Sequence, residues 1–220
     1  DLFAAVGIPA TFYCIAEDLE FGDNAARVRA VAEAGHEIGN HTWHHRYELS
    51  QLSADEMAQE VGEGRSRLEA AAGAPVVGFR APGYNTNARL MDVVFETGHS
   101  YDTSIFPCAP YYLAKAGVLG WMQLRGRRSR SILGHPGVLA APRDPYVMRT
   151  SNPHRRGVDG GLQYPVSVAG GVPLIGTAFS ALGATASVAA TRLGLLMRSH
   201  LTLEFHAVDL LGLHEDQLDP

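Results

Sequence analysis

Cysteine is scarce in this chain: Cys14 and Cys108 are the only two among 220 residues. Two thiols cannot build the framework of bridges that staples a small secreted fold, so stability has to come from a packed core. A chain of this length can bury one, and residues 1–220 are read as a single domain. The low count tilts the expected compartment towards a reducing, cytoplasmic one. Cys14 lies in the apolar run from Ala10 to Ala16 and reads as a buried small hydrophobe. An excess of positive charge is also lacking. With 46% hydrophobic residues, 19% charged residues and a formal net charge of −5, there is no electrostatic case for nucleic acid. Local runs at Arg125, Arg127, Arg128 and Arg130, and at Arg155 and Arg156, read as solvated loop faces, with an anionic substrate or a membrane surface as the minority reading. Charge of either sign is missing from Val166 to Thr191, which is long enough to raise a membrane span. Gly170, Gly171, Pro173, Gly176 and Gly183 interrupt it. A strand, a loop and a small-residue helix packed in a core are expected there, with membrane contact open and an integral span not expected.

What is present alternates. Asp1 to Val6 reads as the end of a helix, Ala10 to Ala16 as a buried strand and Ala25 to Ala34 as a short helix closed by Gly35. His36 to Asn40 forms a short strand. Ser53, with Glu56 three residues on, has the capping-box spacing and starts a helix that Gly73 ends. Val76 to Phe79, then Ala88 to Thr97, then a strand from Ser100 continue the pattern. Residues 107–165 are rich in Pro, Gly and Arg, and are expected to be long loops with short strands. Thr177 to Arg198 reads as helix and Leu201 to Phe205 as a last strand. Strand–helix alternation with short connections predicts a mostly parallel sheet with helices outside. Functional residues then gather at the carboxyl ends of strands.

Four positions meet that criterion: the His41/His45 pair, Arg80, Asp102 and His206. His41 and His45 are four residues apart in His41-Thr42-Trp43-His44-His45, and two neutral imidazoles at that spacing can aim at one cation. A polar cluster or hydrogen-bonded core histidines would give the same spacing. Arg80 follows a strand and can orient a carboxylate through its planar fork, or simply form a salt bridge. Pro82-Gly83 makes a tight turn whose N–H groups could face an oxyanion. His206 follows the last strand and could give a proton to a leaving amine.

Together these segments resemble the polysaccharide deacetylase family, carbohydrate esterase family 4 with the NodB-homology fold. Gly35 to His45 resembles its second motif, Phe79 to Tyr84 its third, and Leu203 to His206 its fifth, with Ile8 to Phe12 like the family's second strand. The resemblance runs from residue 1 to about residue 105 and returns near 200–211. It implies a distorted (β/α) barrel of fewer than eight units and a divalent metal, usually Zn with Co, Mn or Ni as alternatives. The implied reaction is hydrolysis of an N-acetyl or N-formyl amide on a sugar, a polysaccharide or a lipid-linked sugar. By that analogy His41 and His45 bind the metal, Arg80 orients the base and His206 is the acid. Pro82, Gly83 and Tyr84 line the oxyanion and substrate side.

Two departures accompany the resemblance. The family's Asp-Asp motif, which supplies the third ligand and the base, has no counterpart here, because Asp1 falls inside the helix that should follow it. The expectation is an N-terminally truncated catalytic domain without its first strand and with an open sheet edge, so that the fragment itself turns over little. Asp102 is the nearest candidate to tune the acid, with a turn-forming role as the alternative. Asp209 is a second carboxylate that could approach the site. A catalytically inactive carbohydrate-binding domain, or an amide hydrolase acting on a non-sugar substrate, are the competing functions.

Overall fold

The computed structural model describes Phe3 and residues 6–210. The helix expected over Asp1 to Val6 falls largely outside them, with Phe3 and Val6 helical. Strand β1 (Thr11–Cys14) leads through a short 3-10 helix to α1 (Asn24–Glu33), β2 (Glu37–Asn40) and α2 (Ala54–Ala72). Then come β3 (Gly78–Phe79), α3 (Ala88–Glu96), β4 (Tyr101–Asp102) and α4 (Ala109–Leu124). After α4 the chain forms β5 (Tyr146–Arg149), β6 (Asn152–Arg156), β7 (Leu162–Gln163), the ribbon β8 (Val168–Ala169) and β9 (Val172–Pro173), and α5 (Gly176–Met197).

Seven strands form one sheet in the order β1-β2-β3-β4-β7-β5-β6. Pairing is parallel from β1 through β4 to β7, and antiparallel where β5 meets β7 and β6. This is the parallel-rich α/β arrangement that the alternating pattern predicts. The sheet stays open among the described residues, with β1 and β6 at its ends.

Local chemistry sets the main elements. Ser53 Oγ accepts from Glu56 N–H while the Glu56 carboxylate accepts from Ser53 N–H, closing the capping box of α2. Gly73 ends α2 in the left-handed conformation that a side chain would resist. Met57, Val61, Gly64, Leu68 and Ala72 form the buried stripe of that helix. The stripe packs on Phe79, Leu90, Val94 and Met148 at one end and on Ile38 and Val76 at the other.

Four expectations are corrected. Residues 107–165 are not mainly loop, because α4 is a 16-residue helix. Helical periodicity is legible when one face is buried, and α4 buries no residue. The last strand shrinks to a single parallel bridge between Ile175 and Glu204. The helix of the uncharged segment is not packed in a core: within α5 only Gly176 and Gly194 are buried. Cys14 is half-buried rather than enclosed, because β1 lies at the sheet edge.

Candidate active site

Strand β2 delivers His41 to the carboxyl end of the sheet, where its N–H bonds Cys14 O at 2.9 Å. The loop beyond is bent sharply. Thr42 and His45 take positive φ values of 71° and 53°, conformations that cost an L-residue roughly 1–2 kcal/mol each. Hydrogen bonds hold the bend in place. Asn40 Oδ1 accepts from Thr42 N–H, Thr42 Oγ1 from His45 N–H, and Glu60 takes the N–H groups of Trp43 and His44 through its carbonyl and carboxylate. His44 turns away from the other two histidines and pairs with Glu60 at 2.7 Å.

Helix α2 reaches this loop because position 64 has no side chain. A Cβ on Gly64 would stand 2.8 Å from Asn40 Oδ1 and from the Thr42 carbonyl carbon, and 2.9 Å from Trp43 N. Alanine favours a helix interior over glycine by about 1 kcal/mol. Here the contact outweighs that gain, and Gly64→Ala is expected to destabilise the fold by about 2 kcal/mol. Urea unfolding checks this, and a gain in stability would contradict the close approach.

The imidazoles of His41 and His45 meet with their Nε2 atoms 3.1 Å apart. His41 Nδ1 donates to Arg80 O at 2.7 Å, so its Nε2 carries a lone pair. Burial pushes the His41 ring down to about 3, which keeps it neutral. His45 is also lowered, chiefly by burial, with the Asp18 carboxylate opposing. Two nitrogens bound to one tetrahedral zinc lie about 3.3 Å apart, so the pair fits as two ligands. Among the described residues no group of three His, Cys, Asp or Glu is placed to hold a metal.

Arg80 closes the next strand and is buried. Its Nε donates to Thr103 Oγ1 at 2.9 Å, its Nη1 stands 3.6 Å from Glu204 Oε1, and its guanidinium lies 4.7 Å from the centre of the Tyr13 ring. The turn Pro82–Tyr84 follows, with Gly83 and Tyr84 at φ 62° and 60°. The amides of Tyr84 and Asn85 point inward to Ala81 O and Pro82 O. Burial, and then the neighbouring Glu204 carboxylate, raises the Tyr84 phenol.

His206 sits at the open side of this group, its side chain about two-thirds exposed. Nε2 is 3.5 Å from Glu204 Oε1, and Nδ1 is 3.5 Å from Asp209 Oδ2. Glu204 Oε1 thus stands 3.6 Å from Arg80 Nη1 and 3.5 Å from His206 Nε2, and Arg80 O accepts from the His41 ring, which links the residues in one group. The structure therefore brings together His41, His45, Arg80 and His206.

Asp102 is placed elsewhere. It is fully buried and accepts from the N–H and hydroxyl of Ser104, whose oxygen in turn takes Ala81 N–H at 2.7 Å. The carboxylates beside His206 are Glu204 and Asp209, while Asp102 braces the turn after Arg80. Burial raises Asp102 from 3.8 to about 6, against the Ser104 donors and the Arg80 charge. Because the folded state binds this proton more tightly, its stabilising effect is complete below about pH 4 and is lost as pH rises through about 6, a change of up to about 3 kcal/mol. Asp102→Asn is expected to flatten that part of the stability–pH curve, read by urea unfolding at several pH values. An unchanged slope would contradict the assignment.

Glu204 is the site residue that sequence reasoning missed. It is buried between Arg80 and His206. Its signal was the two-residue offset from His206, which puts both side chains on one face of extended backbone.

Comparison with known proteins finds relatives in sequence and in fold. Residues 1–101 match the family model described as polysaccharide deacetylase. A peptidoglycan-N-acetylglucosamine deacetylase from Bacillus cereus is 34% identical over 99 residues, covering 45% of this chain and 45% of that protein. The chain thus spans less than half the length of this curated relative. In fold it is similar to the crystal structure of a candidate polysaccharide deacetylase from Mycobacterium smegmatis. That match has a TM-score of 0.58 and 19% identity, over 93% of this chain and 60% of the other. In sequence the similarity to the polysaccharide deacetylase family thus covers the first 101 of 220 residues.

Proposed function

We propose that the protein hydrolyses an N-acyl amide, acetyl or formyl, on an amino sugar within a polysaccharide or lipid-linked glycan, with a divalent metal at His41 and His45. The observation that carries this reading is the convergence of the two Nε2 atoms at 3.1 Å, with the His41 tautomer fixed by Arg80 O. A bound cation, most simply Zn²⁺, would polarise the amide carbonyl and lower the pKa of bound water. His206, with one carboxylate near each ring nitrogen, would give the departing amine its proton. Arg80 holds Glu204 beside it. The Pro82-Gly83 turn offers Gly83 N–H to the developing oxyanion.

One observation favours a second reading, a catalytically inactive carbohydrate-binding domain of this fold: among the described residues no third donor joins the two imidazoles. The two are separated by acetate release from N-acetylglucosamine oligomers, measured on the product of the whole gene with and without chelator. Release that stops with chelator and falls at least 100-fold in His206→Ala supports the hydrolase. Oligomer binding without release supports the second reading.

A further inference from the structure

We infer that the outer face of α4, together with Arg125 to Arg130, docks on the surface of an anionic phospholipid bilayer. Leu113, Val118, Trp121 and Leu124 are all more than half exposed. At 3.6 residues per turn they lie within roughly 140° of one another. Gly117 falls in the same arc and Gly120 about 20° outside its edge, and a Cβ at either would meet nothing within 4 Å. An apolar face of this size on a solvated helix marks an interaction site.

Charge identifies the partner. Between Thr103 and Leu203 the chain carries eleven Lys and Arg against two acidic residues, Asp144 and Asp159, whereas the whole chain carries 18 against 23. The excess peaks where α4 ends, at Arg125, Arg127, Arg128 and Arg130, all exposed. The Arg125 guanidinium lies 5.1 Å from the centre of the Trp121 ring. An exposed apolar helix surface that carries a tryptophan and leads into a basic run suits a headgroup region, where aromatic rings sit at the interface and Lys/Arg meet anionic lipid. A nucleic acid would match the arginines but leave Leu113, Val118 and Leu124 without a partner.

Helix α5 shows that the contact is on the surface rather than through it. It is long and apolar enough to cross a membrane by length and composition, with a mean hydropathy of 1.3. Yet it is fastened to the protein body near both of its ends. Gly176 N–H bonds Glu204 O, Phe179 packs on Phe205, and Gly194 lies against Leu201 and Ala169. It therefore lies along the body and adds a second exposed apolar face at Leu195, Leu196 and Met197.

Docking through α4 bears directly on the site. The inner side of α4 holds the Pro82–Tyr84 turn: Lys115 Nζ donates to Gly83 O at 3.1 Å, and the Tyr111 ring packs against Tyr84. A helix seated on a bilayer would present the histidine pair to a sugar carried at the membrane. That consequence rests on the proposed amide hydrolysis; the docking does not.

The test is co-sedimentation of the 220-residue chain with phosphatidylcholine vesicles made with and without phosphatidylglycerol. The chain is expected to bind only the anionic vesicles and to be released by high salt. Arg127→Glu/Arg128→Glu is expected to weaken binding at least about 30-fold, and Trp121→Ser/Leu124→Ser to abolish it, both with unchanged circular dichroism because all four side chains are exposed. Equal binding to both vesicle types, binding indifferent to the variants, or no binding at all would overturn the proposal. A concentration-dependent dimer in gel filtration that Trp121→Ser/Leu124→Ser dissociates, without vesicle binding, would give the face to a second copy of the chain.

Discussion

Replacing His41 with alanine is expected to lower the affinity of the protein for Zn²⁺ by on the order of 100-fold or more, since loss of an outer-shell partner alone costs 10–100-fold. His45→Ala should do the same, because the second nitrogen stands 3.1 Å from the first. His44→Ala is the control. Its ring is committed to Glu60 at 2.7 Å, so its removal should leave metal uptake unchanged while loosening the loop. Isothermal titration of each variant with Zn²⁺ decides the matter. Equal losses for all three would mean that the loop, rather than two particular nitrogens, sets affinity. Unchanged affinity in His41→Ala would remove the ligand assignment and leave the pair as a hydrogen-bonded core cluster.

The parts legible in the sequence are those whose signals are local. The capping box of Ser53 and Glu56 is written in four adjacent positions, and the structure repeats it bond for bond. The strands feeding His41 and Arg80 announce themselves by composition and by the turns that end them, although β3 retains only Gly78 and Phe79 as ladder residues. Helix α4 was illegible because amphipathic period is the imprint of a buried face, and here apolar residues occur all round. Residues 201–205 alternate like a strand, yet a strand needs a neighbour, and only Glu204 finds one, at Ile175. The site follows the same division. His41, His45, Arg80 and His206 sit in short motifs and could be singled out before any coordinates. The roles of Glu204 and Asp102 depend on which carboxylate ends up beside which cation. That is settled by contacts between residues 80 and 204, and 81 and 104, far apart in the chain.

Arg80→Ala is expected to destabilise the protein by about 3–5 kcal/mol, the range for removing one partner of a buried ion pair. The pair itself is not close, at 3.6 Å, but neither side chain is more than one-tenth exposed, so water offers little screening. The variant would lose the bond to Thr103 Oγ1 and the contact with Tyr13, and would leave the Glu204 carboxylate buried without its cation. Arg80→Lys keeps the charge but lacks the planar group that spans Thr103, Tyr13 and Glu204 at once, and should fall between alanine and wild type. The discriminating variant is Arg80→Ala/Glu204→Gln. If the unpaired carboxylate is the main cost, removing its charge should recover about 1–3 kcal/mol in urea unfolding, a coupling that additive losses would rule out. Such recovery in stability should not restore function, because His206 would then lack the carboxylate near its Nε2. The same residue would thus be costly to the fold when alone and needed by the site when paired.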